Sequence, residues 1–276
     1  MDIRPLTAAE LLDRTFFFYR KHFTLFVGIA VIPALAQLLI SLTRIVVAPS
    51  PSDSIRVQLE HLARPEMILL NFAVALVVLL AQGATIAAVS DVYLGRPSSI
   101  GKSFARLRKN LFCLVCAAVL MYIVVCFGLI LLIIPGIFLL TALALTIPTI
   151  VIENQTTPFA AMKKSWRLTE GGRLRILLVV VLAYIVQAIV TVFFAIPAGI
   201  VVAVERLGDP SYTSALPQVL EQIGIFFASC LTVPLIAIAT SLLYYDQRVR
   251  KEGFDIQFMI SSLKSKTDET PGHKIF

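Results

Sequence analysis

Five long stretches of this chain contain no Lys, Arg, Asp or Glu. They lie between His22 and Arg44, Glu66 and Asp91, Asn110 and Glu153, Arg175 and Glu205, and Glu221 and Asp246. A helix needs about 20 mainly apolar residues to cross the hydrocarbon of a bilayer. Four of the runs suit one crossing each. The other, Leu111 to Ile152, is roughly twice that length and carries Pro135-Gly136 near its middle, a pair that punctuates helices and suits a tight turn. It reads as a hairpin with arms Leu111–Ile134 and Ile137–Ile152. The predicted spans are therefore 23–43, 67–90, 111–134, 137–152, 176–204 and 222–245. The fold class is an all-α integral membrane domain over 1–258, followed by a cytoplasmic tail over 259–276.

Charge placement tests the hairpin independently. Loops on the cytoplasmic side of a membrane collect Lys and Arg. With six spans, one side holds 20 of the 24 Lys and Arg residues and the other side 4. Reading Leu111 to Ile152 as one span divides them 10 against 14, with the excess on the wrong side. Six spans with both termini cytoplasmic follow. Composition agrees: at 58% hydrophobic and 15% charged, with a mean hydropathy of +0.88, a soluble fold could not cover its own surface. The polar, Pro-containing start is unlike a signal peptide. The net charge of +7 hugs one membrane face, so anionic lipid headgroups are the expected partner. No basic domain stands apart from the spans, so nucleic acid is not expected.

Three segments outside the spans repeat a pattern. Thr7-Ala-Ala-Glu10 has the form of a capping box. After it Leu12, Phe16, Tyr19 and Phe23 recur at helical spacing, opposite Asp13, Arg14, Arg20 and Lys21, with Phe17 interrupting the polar arc. Ser98 or Ser99 caps a second such helix, with Ile100, Phe104, Leu107 and Leu111 against Lys102, Arg106 and Lys109. Thr157-Pro158 opens a third, with Phe159, Met162 and Trp166 beside Lys163, Lys164 and Arg167, and Gly171-Gly172 ends it. Such helices are expected to lie in the headgroup plane. Each precedes two spans, and the second span of each pair ends at an acid: Asp91, Glu153 or Asp246. The pattern predicts three units of interfacial helix plus transmembrane hairpin, related by a pseudo-threefold axis along the membrane normal. Residues 48–65 are expected to hold one short helix, 205–217 a loop, and 254–263 a last amphipathic turn.

Arg4-Pro-Leu-Thr-Ala-Ala-Glu-Leu-Leu-Asp-Arg-Thr, Phe18-Tyr-Arg-Lys, Ile134-Pro-Gly-Ile, Pro148-Thr-Ile-Val-Ile-Glu153 with Ala161-Met-Lys-Lys-Ser-Trp-Arg-Leu168, and the closing Leu243-Tyr-Tyr-Asp-Gln-Arg-Val-Arg-Lys-Glu-Gly-Phe-Asp255 resemble one bacterial group. These are the membrane proteins around the membrane domain of glycerophosphoryl diester phosphodiesterases. The resemblance runs to about residue 258 and implies a six-helix domain in a bacterial inner membrane. It carries over no catalytic residues, since the phosphodiesterase chemistry of fused relatives looks to belong to a separate soluble domain.

The remaining polar residues argue against chemistry. His22, His61 and His273 are separated by topology, and no P-loop, zinc-protease helix or serine elbow is present. Cys113-x-x-Cys116 has metal-ligand spacing but no nearby His or further Cys to complete a site, so Cys113, Cys116, Cys126 and Cys230 read as small apolar helix residues. Neither an enzyme nor a cofactor is expected. Ion-coupled carriers place ionisable groups within the bilayer, and these spans hold none. A polar path would have to be built from Gln37, Asn71, Gln82 and Gln187, residues that more commonly bond neighbouring helices. Asp91, Glu153 and Asp246 are expected to pair with bases of the interfacial helices, Arg14 and Arg106 among them. The expected role is non-enzymatic: anionic headgroup binding by Arg14, Arg20, Lys21, Lys102, Arg106, Lys163, Lys164, Trp166 and Arg167, in membrane organisation or support of a partner complex. The alternative is a transporter or lipid-moving protein with an uncharged polar path.

Overall fold

The structure is a computed structural model that describes residues 7–47, 64–155, 157–208 and 214–253. Within them the chain is helical, with no strand. The helices are α1 (Ala8–Lys21), α2 (Phe23–Val47), α3 (Pro65–Tyr93), α4 (Ile100–Leu107), α5 (Leu111–Leu131), α6 (Ile133–Leu143), α7 (Thr146–Glu153), α8 (Pro158–Thr169), α9 (Arg173–Gly208) and α10 (Leu216–Glu252). Six helical stretches are long and apolar enough to cross a membrane: Phe23–Val46, Pro65–Tyr93, Ile100–Leu131, Ile133–Glu153, Arg173–Leu207 and Leu216–Glu252. The molecule is an all-α, six-span membrane protein. The expected short helix over 48–65 (apart from 64–65), the last turn over 254–263, the tail, His61 and His273 lie outside the described residues.

α10 stands at the centre of the bundle, packed on α9, α2, α1 and α3. α3 is the second core helix. Ala84 to Ser90 is buried without a break, as is Ala237 to Gln247 on α10. Small residues dominate the run on α3 and open the run on α10 at Ala237, Ala239, Thr240 and Ser241; they let helix backbones approach closely, which is how helices associate where lipid is as apolar as the protein. At Gly224 on α10 an added Cβ would meet the Phe194 carbonyl oxygen of α9 at 2.4 Å. The third and fifth crossings, by contrast, are only 17% buried over their most apolar windows. Phe112, Ile130, Val192 and Phe193 point outward there, a surface suited to lipid and not to water.

The connection between the third and fourth spans differs from expectation. The turn falls at Leu132, which is extended (φ −164°, ψ 147°), and not at Pro135-Gly136. Pro135 sits in the first turn of α6, where its missing N–H breaks no helical bond. Gly136 is needed for packing: a Cβ there would lie 2.4–2.8 Å from Leu129 of α5. The fourth span is itself broken between α6 and α7, at Ala144 and Leu145. The expected loop over 205–217 is shorter, because α9 continues to Gly208 and Glu205 accepts the Ser214 hydroxyl.

Candidate functional site: the helix-capped end of the bundle

Serial crossing puts α1, α4, α8 and the end of α10 at one end of the bundle. The three short helices begin alike. Thr7 accepts the Glu10 amide at 3.2 Å while Glu10 accepts the Thr7 amide at 2.7 Å, a complete capping box. Ser99 accepts the Lys102 amide at 3.4 Å. Thr157 occupies the cap position of α8 without a side-chain bond, and Pro158 follows it. The buried positions then recur at the fourth, eighth and eleventh residues after each cap: Leu11, Thr15 and Phe18; Ser103, Leu107 and Asn110; Ala161, Ser165 and Leu168.

This buried face lies about one residue away from the apolar stripes read in the sequence. Phe16 is 43% exposed, Phe17 60%, Phe159 74% and Trp166 38%. The reason is the surroundings. Where the outside is also apolar, the face that meets the bundle is chosen for closeness and hydrogen bonding, and the bulky rings turn out. Thr15 donates to the Leu11 carbonyl (2.8 Å) and Ser103 to the Ser99 carbonyl (3.0 Å). Ser165 does more. It donates to the Ala142 carbonyl at 2.8 Å and accepts the Leu145 amide at 3.2 Å. Thr169 adds a bond to the same Ala142 carbonyl at 3.3 Å. α8 therefore supplies the backbone partners that the break between α6 and α7 removes.

The seventh residue after each cap is a base: Arg14, Arg106 or Lys164. Arg106 pairs with Asp91 at 2.8 Å, and Lys164 pairs with Glu153 at 2.6 Å. In both cases a short helix is tied to the acid ending the preceding hairpin. The third position is arranged differently. Arg14 hydrogen-bonds Tyr93, with Asp246 in the same electrostatic neighbourhood. Asp246, whose side chain is fully buried, is held by Arg175 (2.9 Å) and Arg250 (3.0 Å).

Glu153 is the hub of a larger network that sequence reasoning missed. It accepts the Tyr244 hydroxyl and the Gln155 amide (3.2 Å), with Arg248 at 3.5 Å. Glu252 bridges Lys164 (3.2 Å) and Arg248 (3.0 Å). Lys251 caps the Arg167 carbonyl at 2.6 Å, which joins α10 to α8. Tyr245 stacks on Tyr93 with ring centroids 4.5 Å apart and donates to Ser90 at 2.9 Å. The signal was available in Leu243 to Glu252, where acids and bases at i, i+4 spacing follow two tyrosines. Arg173 was also missed. Its guanidinium lies 4.1 Å from the Phe138 ring centroid and 4.7 Å from that of Trp166, an aromatic clamp on the start of α9.

The structure thus divides the predicted headgroup-binding residues. Arg106 and Lys164 are engaged inside the protein, and Arg14 is turned toward Tyr93. Arg20, Lys21, Lys102, Lys163, Trp166 and Arg167 are exposed, as are Arg96, Arg108 and Lys109. The exposed carboxylates at this end, among the described residues, are Asp13 and Glu170. The four polar residues of the span interiors have different surroundings. Asn71 donates to the Met67 carbonyl (2.7 Å) and accepts Arg44 near the far end of α2. Gln37 and Gln82 are half-buried, and the Gln187 side-chain oxygen is buried without a hydrogen-bond partner among the described residues. The four cysteines are thiols, and no group of three or more His, Cys, Asp or Glu stands together among the described residues.

These features define a six-span helical membrane protein in which two of the short helices are tied by ion pairs to the ends of its spans. A family model described as "Domain of unknown function (DUF7847)" matches residues 22–247, and the chain belongs to that family. No curated protein and no solved structure matches it.

Proposed function

We propose that this protein is a non-enzymatic component of a bacterial inner membrane that binds anionic phospholipid headgroups through the outer faces of α1, α4 and α8, at the cytoplasmic side. In that role it organises lipid or supports a partner complex. One observation carries the reading: the acids at this end are folded inward onto paired bases, and the unused bases face out. Asp91, Glu153, Asp246 and Glu252 are all engaged in ion pairs, while exposed Lys and Arg outnumber exposed carboxylates on the same end. Aromatic side chains flank these bases at Phe16, Phe17 and Trp166, the arrangement suited to a headgroup layer. Each such base contributes about 1 kcal/mol of attraction near an anionic surface.

The shared cap, buried and base positions of the three short helices support the same proposal, as one headgroup-facing element used three times about a pseudo-threefold axis. The likeness to membrane domains of glycerophosphoryl diester phosphodiesterases supplies a bacterial setting for it and no chemistry.

Native mass spectrometry of the gently purified protein tests the reading. Retained anionic phospholipid should exceed retained zwitterionic phospholipid. Lys163→Gln with Arg167→Gln should lower that excess without loss of fold. Lys164 is left intact because it pairs with Glu153 and Glu252. Equal retention of both lipid classes by the unaltered protein would overturn the proposal.

A further inference from the structure

We infer that one anionic phospholipid binds at a defined place on this end, in the groove between α1, the first turn of α2 and the α3–α4 turn. The groove encloses about 580 Å³, within the range of small-molecule sites. Phe17, Leu25 and Val92 form apolar wall, and Lys21, His22 and Arg96 supply the nitrogen-bearing groups, with no carboxylate among the described residues of the lining. A second groove of about 570 Å³ shares Phe17 and Lys21 with it and is lined also by Phe16, Arg20 and the carboxylate of Asp13. Anion recognition therefore belongs to the first.

Local structure holds the walls in place. Gly95 takes φ +73°, which turns the chain out of α3, and Pro97 restricts the backbone at Arg96. One turn beyond Leu25, Ile100 packs onto Gly28 so closely that a Cβ there would meet its Cδ1 at 2.7 Å. α4 and α2 therefore meet on the membrane side of the groove. Lys21 lies 5.8 Å from the Phe17 ring centroid and stays exposed.

The occupant follows from polarity and position. The apolar crossing begins at Phe23, so Leu25 lies at the acyl boundary and Lys21 and Arg96 lie on the headgroup side. A ligand filling both halves must carry a phosphate and a hydrocarbon chain on one molecule. A membrane phospholipid does so, and a free phosphate does not. The other two units lack this groove chemistry on their short helices: the position of Phe17 is Lys109 in α4 and its following turn, and Arg167 in α8.

The inference rests on the headgroup-binding reading, and the experiment separates the two. The full chain is reconstituted in phosphatidylglycerol or phosphatidylcholine and its lipid adducts are counted by native mass spectrometry. Lys21→Gln with Arg96→Gln should reduce the single tightly held phosphatidylglycerol adduct about tenfold or more. Lys163→Gln with Arg167→Gln should thin only the broad distribution. Leu25→Trp, which fills the apolar half and leaves every charge in place, should also remove the tight adduct, and unfolding temperatures check that each variant is folded. If folded groove variants keep the tight adduct, or if the two charge pairs act alike, the groove site is wrong while surface binding stands. If millimolar inorganic phosphate displaces the adduct, the groove is a free-anion site and the inference fails. If the unaltered protein shows no preference for phosphatidylglycerol, both readings fail together.

Discussion

Two buried tyrosines in this bundle have opposite fates, and the difference is one hydrogen bond. Tyr245 donates to Ser90 and stacks on Tyr93. Tyr19 is 9% exposed, and its buried hydroxyl has no partner among the described residues. Burial, with Cys230 nearby, pushes the Tyr19 hydroxyl up to about 12, so it stays protonated throughout the physiological range. Removing a satisfied buried hydroxyl leaves its partner stranded, whereas removing an orphan relieves a cost. Tyr245→Phe should therefore destabilise the protein by about 1–2 kcal/mol, and Tyr19→Phe should be neutral or stabilising. Thermal unfolding in detergent reads both.

His22, at the hinge between α1 and α2, is held below its ordinary value of 6.5, first by burial and then by Lys21. Its neutral form is the one the fold favours. That contribution to stability is present above 6.5 and is lost as pH falls below it through the folded-state value. Proton NMR of the imidazole should give a midpoint below 6.5, and Lys21→Gln should raise it only part of the way, because burial is the larger cause. A midpoint at or above the ordinary value would contradict the geometry at this hinge.

At the scale of elements, the break in the fourth span depends on a neighbouring helix. Ala142 and Leu145 take their missing bonds from Ser165, a residue 20 positions later than Leu145. Ser165→Ala should cost about 1–3 kcal/mol, since it strands a buried amide. Thr169→Val should cost less, because the Ala142 carbonyl keeps Ser165. Thr15→Ala should also cost less, its bond being to its own helix. A Thr15 variant as damaging as the Ser165 variant would show that the break is not what these hydroxyls support. The apolar stripes placed on these helices from sequence were about one residue off for a related reason. Periodicity locates an apolar arc, but Phe16, Phe17 and Trp166 satisfy lipid as well as a core does. The hydroxyl-bearing positions Thr15, Ser103 and Ser165 were the better guide to the inward face.

Over the whole molecule, ion pairs tie α4 and α8 to the ends of α3, α7 and α10, and Arg14 joins α1 to them through Tyr93. Glu153 gathers Tyr244, Lys164 and Arg248, from α8 and α10. Glu153→Gln leaves Lys164 and Arg248, with side chains only 18% and 16% exposed, to share the single carboxylate of Glu252, and should cost about 1–3 kcal/mol. Asp91→Asn should cost less, because Arg106 is 25% exposed and loses a single partner. The order of the two unfolding temperatures checks this, and the reverse order would contradict the assignment of Glu153 as the hub.

The six crossings could be read from the sequence alone because charge is excluded from hydrocarbon: its absence over about 20 residues marks a span, and the count of bases chose between five and six. The caps at Thr7 and Ser99 and the three acids at span ends were legible for similar local reasons. The turn at Leu132, the break before Leu145 and the hub at Glu153 were not, because each depends on an atom supplied by another part of the chain. Pro135-Gly136 marked the right hairpin but not its corner, since Gly136 is required by Leu129 of the opposite helix. Which bases face outward and which are spent on acids was likewise decided only in three dimensions. Arg106 and Lys109 are neighbours in one short stretch of sequence, and only packing turns one inward to Asp91 and leaves the other outside.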